Sequence, residues 1–551
     1  MVPALAARLQ YNLGLELGGP HRKTPWLGWL IAACFFLLFI ALRTNDFAGV
    51  DGALRCLGVF FKGDRFHDNN HMLYPFWVGT WAQANSWLGI RAQDAIQYLR
   101  MTQCMNAFAA SAAVGFLYYL IESVSNFKAA ILGSLMFGFS STVTLQATTS
   151  DEPVAGLFFA TLSLAILAFG IKHSSVVAVF LAGFAMSVAL ASYEAMGTVV
   201  GAAILVCCYW PADSSARPFG VMRRLLIAGA GSAVGVLVVY GWAYASQGVP
   251  VAKMPAQLLA LGGAPGVYTG PELIPTKVAN APFGLIQWLF SALPDDYGGI
   301  RSLLHHSHRL FWLATVLAAF ALIAILFFLT AQAWRSAAQS FPRARVALLA
   351  GIALFIGVPL WYWGPNNPKM WLFPLFCVSF AVAAGWARGR LTPARGRLLT
   401  ACLCVCLFAE IARSAPSLVR GHVEPTPHLA EAAALSRIVK PEDWVVLDFD
   451  DVSTLWQTIW GEHANCLLFP ASNLTSAGEW LERAKAASRA GQGRLLFVEI
   501  LEKTRAEWDP FLGARVKIPF DFLSEYRKRA TALQAPEGPP VHVWQYTPAT
   551  P

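Results

Sequence analysis

The chain has 551 residues, 56% of them hydrophobic and only 13% charged, and its formal net charge is +9. A soluble chain carries roughly a quarter charged residues, so this apolar surplus excludes an ordinary soluble enzyme and points to lipid as the solvent. The positive charge then reads as loop charge that sets orientation in the membrane, not as a nucleic-acid surface.

In chain order, residues 1–25 read as a cytoplasmic N-terminal segment. The first apolar run, 26–43, has no small-residue cleavage site and reads as a retained helix. Further runs long enough to cross a bilayer lie at 104–121, 128–146, 153–171, 175–192, 194–210, 225–245, 309–331, 346–363, 370–387 and 398–413. They make a multi-span domain over 26–413 with about eleven transmembrane helices. Two long loops, 44–103 and 247–308, interrupt it.

The basic residues agree with simple alternation. Arg22 and Lys23, Lys128, Lys172, the group Arg217, Arg223 and Arg224, the group Arg335, Arg343 and Arg345, and the group Arg388, Arg390, Arg395 and Arg397 all fall on one side. That side is the cytoplasm by the positive-inside rule. The acids sort the other way, with Asp46, Asp51, Asp64, Asp68, Asp94, Asp151, Glu152, Glu194, Glu272, Asp295 and Asp296 on or near the outer face.

From about Pro416 the composition is that of soluble protein. WVVLDFD (444–450), NCLLFP (465–470), RLLFVEI (494–500) and VHVWQY (541–546) read as buried strands, and SAGEWLERAKAASRA (476–490) and FDFLSEYRKRATAL (520–533) as helices between them. The expected fold is therefore an all-α polytopic membrane protein with a C-terminal soluble α/β domain over 414–551. An odd number of spans puts that domain outside. The ten cysteines show no CxxC pair or zinc-type Cys/His spacing. A Cys56–Cys466 disulfide is possible.

Four polar groups stand at outer ends. Asp51 follows the first span closely, in VDGALR, where a tethered carboxylate suits a general base acting on an acceptor hydroxyl. The cations Arg55, Lys62, Arg65, His67 and His71 follow it and suit a phosphate leaving group. Asp151 and Glu152, in TTSDEP, open a span with Pro153 in its first turn; capping of that helix is the plainer reading. Tyr193 and Glu194 interrupt two apolar spans at the outer face; an acid at membrane depth is costly and often functional, and a simple polar turn is the plainer reading. Lys369, in PNNPKMWLFPL, opens a span where its cation can meet a lipid-linked phosphate, or simply anchor at the interface with the aromatic residues around it. HHSH (305–308) and LDFDDVSTL (447–455) resemble metal and phosphatase motifs without the residues that complete them. The sequon at Asn473 matters only in a eukaryotic host.

Taken together, these motifs resemble the GT-C superfamily of integral-membrane glycosyltransferases, in the polyprenyl-phosphate-sugar-dependent branch with protein O-mannosyltransferases and aminoarabinose transferases. Asp51 matches the early acid of the first external loop, HDNNHMLYPFW its H/P-rich stretch leading into LYP, SDEP the acid of the second loop, and PKMWLFPL the basic residue ahead of an aromatic-x-x-Pro-Leu helix. Asp51-Gly52 stands where the family usually has Asp-Glu, and HDNNHM replaces a lysine-proline-proline stretch, so donor contacts and subfamily stay open.

The resemblance implies a GT-C-like bundle. It implies transfer of a hexosyl or pentosyl group from a polyprenyl-phosphate donor to a glycan, lipid or protein acceptor on the periplasmic or lumenal side, with inversion. Asp51, Asp151 and Glu152 are the expected catalytic residues. Arg55, Arg65, His67, His71, Tyr74, Glu194 and Lys369 are the expected substrate-binding residues. No metal ligand is assigned and no cofactor is required, a divalent metal being compatible. Membrane lipids are partners and nucleic acid is not. The expected place is a bacterial inner membrane, with the N-terminus cytoplasmic and the C-terminal domain periplasmic. A transporter or flippase of lipid-linked glycan, or an O-antigen ligase or polymerase, is the alternative; a transporter wants ionisable groups deep within spans and broken helices near the midplane.

Overall fold

The computed structural model describes residues 24–45, 51–63, 72–209, 218–246, 248–253, 275–291, 308–338, 367–389, 391–423, 427–447, 451–460, 465–468, 474–502, 520–533 and 541–548. The expected span at 346–363 lies outside them, as do Arg65, His67 and His71.

The membrane region is a chain of helices: α1 (Pro25–Ala41), α2 (Asp51–Lys62), α3 (Tyr74–Trp87), α4 (Ala95–Val124), α5 (Phe127–Phe139), α6 (Ser141–Thr148), α7 (Pro153–Lys172), α8 (Val176–Ser192), α9 (Val199–Tyr209), α10 (Pro218–Ser246), α11 (Pro275–Phe290), α12 (Arg309–Ala338), α13 (Leu372–Arg388) and α14 (Pro393–Val423). Among the described residues, six helices are long and apolar enough to cross a membrane: α4, α7, α10, α12, α13 with the turn before it, and α14. α5 and α6, bent by 62° at Ser140, make a seventh if the pair is one span. Every expected apolar run except 346–363 is mainly helical, with 128–146 divided between α5 and α6 and 194–210 opening on the 3₁₀ turn Glu194–Thr198 before α9.

The bend has a local cause. Ser140 takes extended angles (φ −57°, ψ 142°), and its hydroxyl donates to the Phe137 carbonyl at 2.7 Å. The Thr144 hydroxyl donates back to the carbonyls of Ser140 and Ser141 at 3.2 and 3.0 Å. The Phe137 and Ser140 carbonyls also accept backbone N–H groups, from Ser140 at 3.2 Å and Thr144 at 3.0 Å, so the break leaves both of them satisfied inside the bundle.

α4 is the central post, packed against α1, α5 and α7. α8 and α10 cross closely, because a Cβ on Gly183 meets the Ala228 backbone and one on Gly231 meets the Phe180 backbone. At one end of the bundle the chain is tied together. The Thr44 N–H donates to the Thr148 carbonyl at 3.2 Å, the Asn45 N–H to the Gly421 carbonyl at 2.8 Å, and His422 Nδ1 bonds the Arg43 carbonyl at 2.7 Å. The ends of α1, α6 and α14 therefore meet, and this is where the site lies.

After α14 come α15 (Pro427–Ile438), β1 (Trp444–Leu447), α16 (Asp451–Ile459), β2 (Asn465–Leu468), α17 (Leu474–Arg489), β3 (Leu495–Val498), α18 (Ser524–Arg529), β4 (Ala530–Leu533) and β5 (Val543–Tyr546). The sheet order is β2-β1-β3-β5-β4, with β1 parallel to β2 and β3, and β5 antiparallel to β3 and β4. One stretch departs from expectation: 520–533 is a short helix followed by strand β4, because ATAL extends the sheet edge against β5. α14 runs without interruption past Pro416 to Val423. Cys56 and Cys466 are both free thiols: Cys56 faces Tyr74 in the bundle, and Cys466 sits on the sheet-edge strand β2.

Candidate active site

The site is built on the chain reversal into α7. Pro153 occupies the first helical turn, where its missing N–H is no loss. The preceding residues 149–152 are held from α4. Asn106 Nδ2 donates to the carbonyls of Thr149 (2.9 Å) and Asp151 (2.6 Å), and the Leu99 carbonyl accepts from the Ser150 hydroxyl at 3.1 Å. From the first loop, the Tyr74 hydroxyl donates to the Ser150 carbonyl at 2.9 Å.

On this platform sit two carboxylates, Asp151 and Glu152, with 1% and 0% of their surface exposed. Glu152 occupies the N-cap position of α7 without making a side-chain cap bond, so its carboxylate is free of the capping role. It pairs instead with the Arg55 guanidinium of α2. Lys369 Nζ reaches both acids, Asp151 Oδ1 at 3.1 Å and Glu152 Oε1 at 3.4 Å. Lys369 is aimed by its own turn: the Asn367 side chain accepts from the Lys369 N–H at 3.0 Å and opens the 3₁₀ turn Pro368–Trp371 that leads into α13.

Two acids and two cations are thus buried together. Each ion gives up hydration on burial, and the cluster is tolerated because each charge faces an opposite one.

α2 meets this cluster through its backbone. The Gly52 N–H donates to Asp151 Oδ1 at 3.4 Å. A Cβ on Gly52 would lie 2.6 Å from Asp151 Cα and 2.8 Å from the Glu152 nitrogen, and closer still to the Ser150 carbonyl. Asp51, the first residue of α2, is therefore next to the acid pair by chain connectivity; its side chain lies outside the described residues. Gly52, which has no side chain, is the residue that permits this approach.

Beneath α2, Cys56 Sγ lies 3.6 Å from the Tyr74 hydroxyl. Burial pushes the Cys56 thiol up to about 12, so it is a neutral thiol at physiological pH and not a nucleophile. Burial likewise pushes the Tyr74 hydroxyl well above its ordinary value, which keeps it a proton donor to Ser150. Tyr74 has no exposed surface and braces the 149–152 segment. The backbone of Glu194 opens the 3₁₀ turn Glu194–Thr198; Tyr193 just before it and Met196 within it lie against Gly156 of α7, and the Glu194 side chain lies outside the described residues. Among the described residues no three His, Cys, Asp or Glu side chains stand close enough to hold a metal ion. The acids of the site face Arg55 and Lys369 instead.

No protein-family model matches the chain, and no curated protein matches it in sequence. Solved structures do match. ArnT from Cupriavidus metallidurans bound to undecaprenyl phosphate superposes with a TM-score of 0.57 at 12% identity, covering 95% of this chain and 98% of that one. The oligosaccharyltransferase of Archaeoglobus fulgidus, tethered with an acceptor peptide, gives 0.50 at 13% identity, covering 96% of this chain and 74% of that one. The same archaeon's AglB, in complex with an inhibitory peptide and a dolichol-phosphate, gives 0.50 at 13% identity over 95% and 74%. The chain has the GT-C glycosyltransferase fold.

Within this GT-C fold, Arg55, Asp151, Glu152 and Lys369 come into direct contact from three separate parts of the chain, with Tyr74 beneath and the Asp51 backbone alongside. Asn106 and Gly52 belong to the same assembly. Their sequence signals are slight: a lone amide in the apolar run CMNAFAA, and a glycine after an acid.

Proposed function

We propose that the protein is a membrane glycosyltransferase that moves a sugar from a polyprenyl-phosphate-linked donor to an acceptor on the periplasmic or lumenal side, with inversion. The observation that carries this reading is the buried cluster of Arg55, Asp151, Glu152 and Lys369, set against the start of α2 in a chain with the GT-C fold. ArnT is solved with undecaprenyl phosphate and AglB with a dolichol-phosphate, which supports a polyprenyl-phosphate donor class.

The acceptor hydroxyl attacks the anomeric carbon as the bond to the phosphate oxygen breaks, and the electron pair leaves on the phosphate. The transition state has oxocarbenium character, as in glycoside hydrolysis. Asp51 takes the acceptor proton. Arg55 and Lys369 stabilise the departing phosphate, with Arg65, His67 and His71 contributing from the same loop. Asp151 and Glu152 hold those two cations in place and, through Gly52, the base-bearing end of α2; Glu194 contacts substrate from the neighbouring turn. The carrier already activates the sugar, so no cofactor enters. In this reading the protein lies in a bacterial inner membrane with its C-terminal domain periplasmic.

Asp51→Asn, checked for insertion and folding, is expected to lower turnover with a polyprenyl-phosphate donor in membranes about 10²–10⁴-fold, the usual span of general-base catalysis. Near-wild-type turnover overturns the reading.

A second reading, movement of a lipid-linked glycan across the membrane, is favoured by one pair of features: the α5–α6 break, and Glu410 of α14, a fully buried acid whose two oxygens have no hydrogen-bond partner among the described residues. A vesicle translocation assay separates the two. A transporter loses flux on Glu410→Gln and keeps it on Asp51→Asn; a transferase shows the reverse in sugar transfer.

A further inference from the structure

α2 is not a membrane span. It has twelve residues, a length at which a helix in water is marginal by itself, so packing must hold it. On one side it lies against α3 and α4 of the bundle; on the other it lies against α16 of the α/β domain. The contact is part of a continuous apolar cluster. Ala53, Cys56 and Leu57 of α2 are buried with Val452, Leu455 and Trp456 of α16. Behind α16 the cluster continues through α15 to the inner face of the sheet, Val445 and Leu447 of β1, Leu496 and Val498 of β3, and Val543 of β5.

The alternation of the strands confirms the geometry. Val446, Leu495 and Phe497 point to the other face, where they pack with Ala477, Leu481 and Ala484 of α17. The domain thus has a face turned to α2 and a face turned away. Trp456 is 2% exposed and its Nε1 has no hydrogen-bond partner among the described residues, so this large ring is fixed by apolar packing.

We propose that the C-terminal α/β domain is a clamp on the catalytic helix, with Trp456 and Leu455 as positioning residues that hold α2 so that Gly52 seats on Asp151 and Arg55 on Glu152. What α2 carries rests on the transferase reading; that the domain holds α2 does not.

The test is hydrogen exchange on the full-length protein in membranes or nanodiscs, with transfer rates measured alongside. In Trp456→Ala, the amides of residues 53–60 exchange at least 10-fold faster than in wild type, and a maleimide labels Cys56, which is buried in the native protein. Trp456→Phe restores protection. Leu481→Ala, the same deletion as Leu455→Ala but made in the core of the far face, leaves α2 protection and transfer unchanged. Leu455→Ala, a smaller deletion, is read the same way if Trp456→Ala does not accumulate. Unchanged α2 exchange in the α16 variants overturns the clamp, and so does an equal effect from Leu481→Ala. If α2 loosens as described but wild-type protein shows no sugar transfer, the clamp stands and the transferase reading fails.

Discussion

Gly52 shows how little room the site leaves. Any side chain there meets the backbone of residues 150–152, which cannot retreat because Asn106 and Tyr74 hold it. Gly52→Ala is therefore expected to displace α2 and to lower transfer about 10²-fold, the scale on which misplacement of a catalytic group is felt, in a steady-state assay with the protein still folded. Lys369 has the opposite character: removing it takes away the cation that faces both buried carboxylates. Lys369→Met is expected to cost about 3–5 kcal/mol of stability, and Asp151→Asn added to it should recover part of the loss, read as coupling in a double-mutant cycle of unfolding free energies. Glu410 has no such partner among the described residues. If its role is only structural, Glu410→Met, similar in volume, is expected to stabilise the protein by about 1–3 kcal/mol in detergent, the desolvation cost of an unsatisfied polar group. The acids 151 and 152 and Lys369 were visible in the sequence because they interrupt apolar runs. Asn106 and Glu410 interrupt such runs too, but one polar residue in a long helix carries no sign of what it faces.

Elements differ in how far local pattern specifies them. The strands 444–447, 465–468, 495–498 and 543–546 each sit inside a stretch legible as a buried apolar run between turn signals. β4 was not legible, because ATAL is a weak strand former and becomes one by pairing with β5. Within the 44–103 loop the stretch ALRCLGVFF reads as helical and is α2; what covers its two sides, and so holds so short a helix, was not legible. Gln146 of α6 and Glu410 of α14 bring unpartnered polar atoms into the bundle beside the α5–α6 break, and Ser414 Oγ donates to the Phe139 carbonyl at 3.4 Å. Glu410 lies eleven positions from Gly421, at about 1.5 Å per residue some 16 Å from the tied end, which is near the midplane of a hydrocarbon core about 30 Å thick. In the α/β domain, β1 and β3 are joined at their start by one ion pair, Arg494 Nη2 to Asp443 Oδ2 at 2.6 Å. Burial raises the Asp443 carboxyl, but Arg494 and the backbone N–H groups of Lys440 and Arg494 outweigh it and hold the group below its ordinary value of 3.8. A depressed carboxyl stabilises the fold above its unfolded pKa and loses that contribution as pH falls through the folded value. Acidification below about pH 4 should therefore loosen the domain, and Asp443→Asn should flatten that limb of a thermal-unfolding series against pH. Arg494→Met at neutral pH leaves the acid buried and unpaired, at a cost of about 3 kcal/mol in the same measurement.

At the scale of the molecule, the bundle and the domain share one apolar cluster through α2 and α16, so the domain lies on the side that holds the cluster of charges. A periplasmic reporter fused after Pro551 is expected to be active and a cytoplasmic one silent; the reverse result inverts the proposed orientation. The sequence by itself determined the membrane character, the apolar runs and four of the five described strands of the domain. Each of these is set by local hydropathy and periodicity, which a short window of chain contains in full. Only the tertiary structure decided which charges neutralise one another. Arg55 meets Glu152 across 97 positions and Lys369 meets it across 217. Coulomb attraction and hydrogen bonding act through distance in space, and no window of chain records that distance. The same reason hid the seat of Gly52 against residues 150–152 and the grip of α16 on α2, both of which exist only once distant segments are packed into contact.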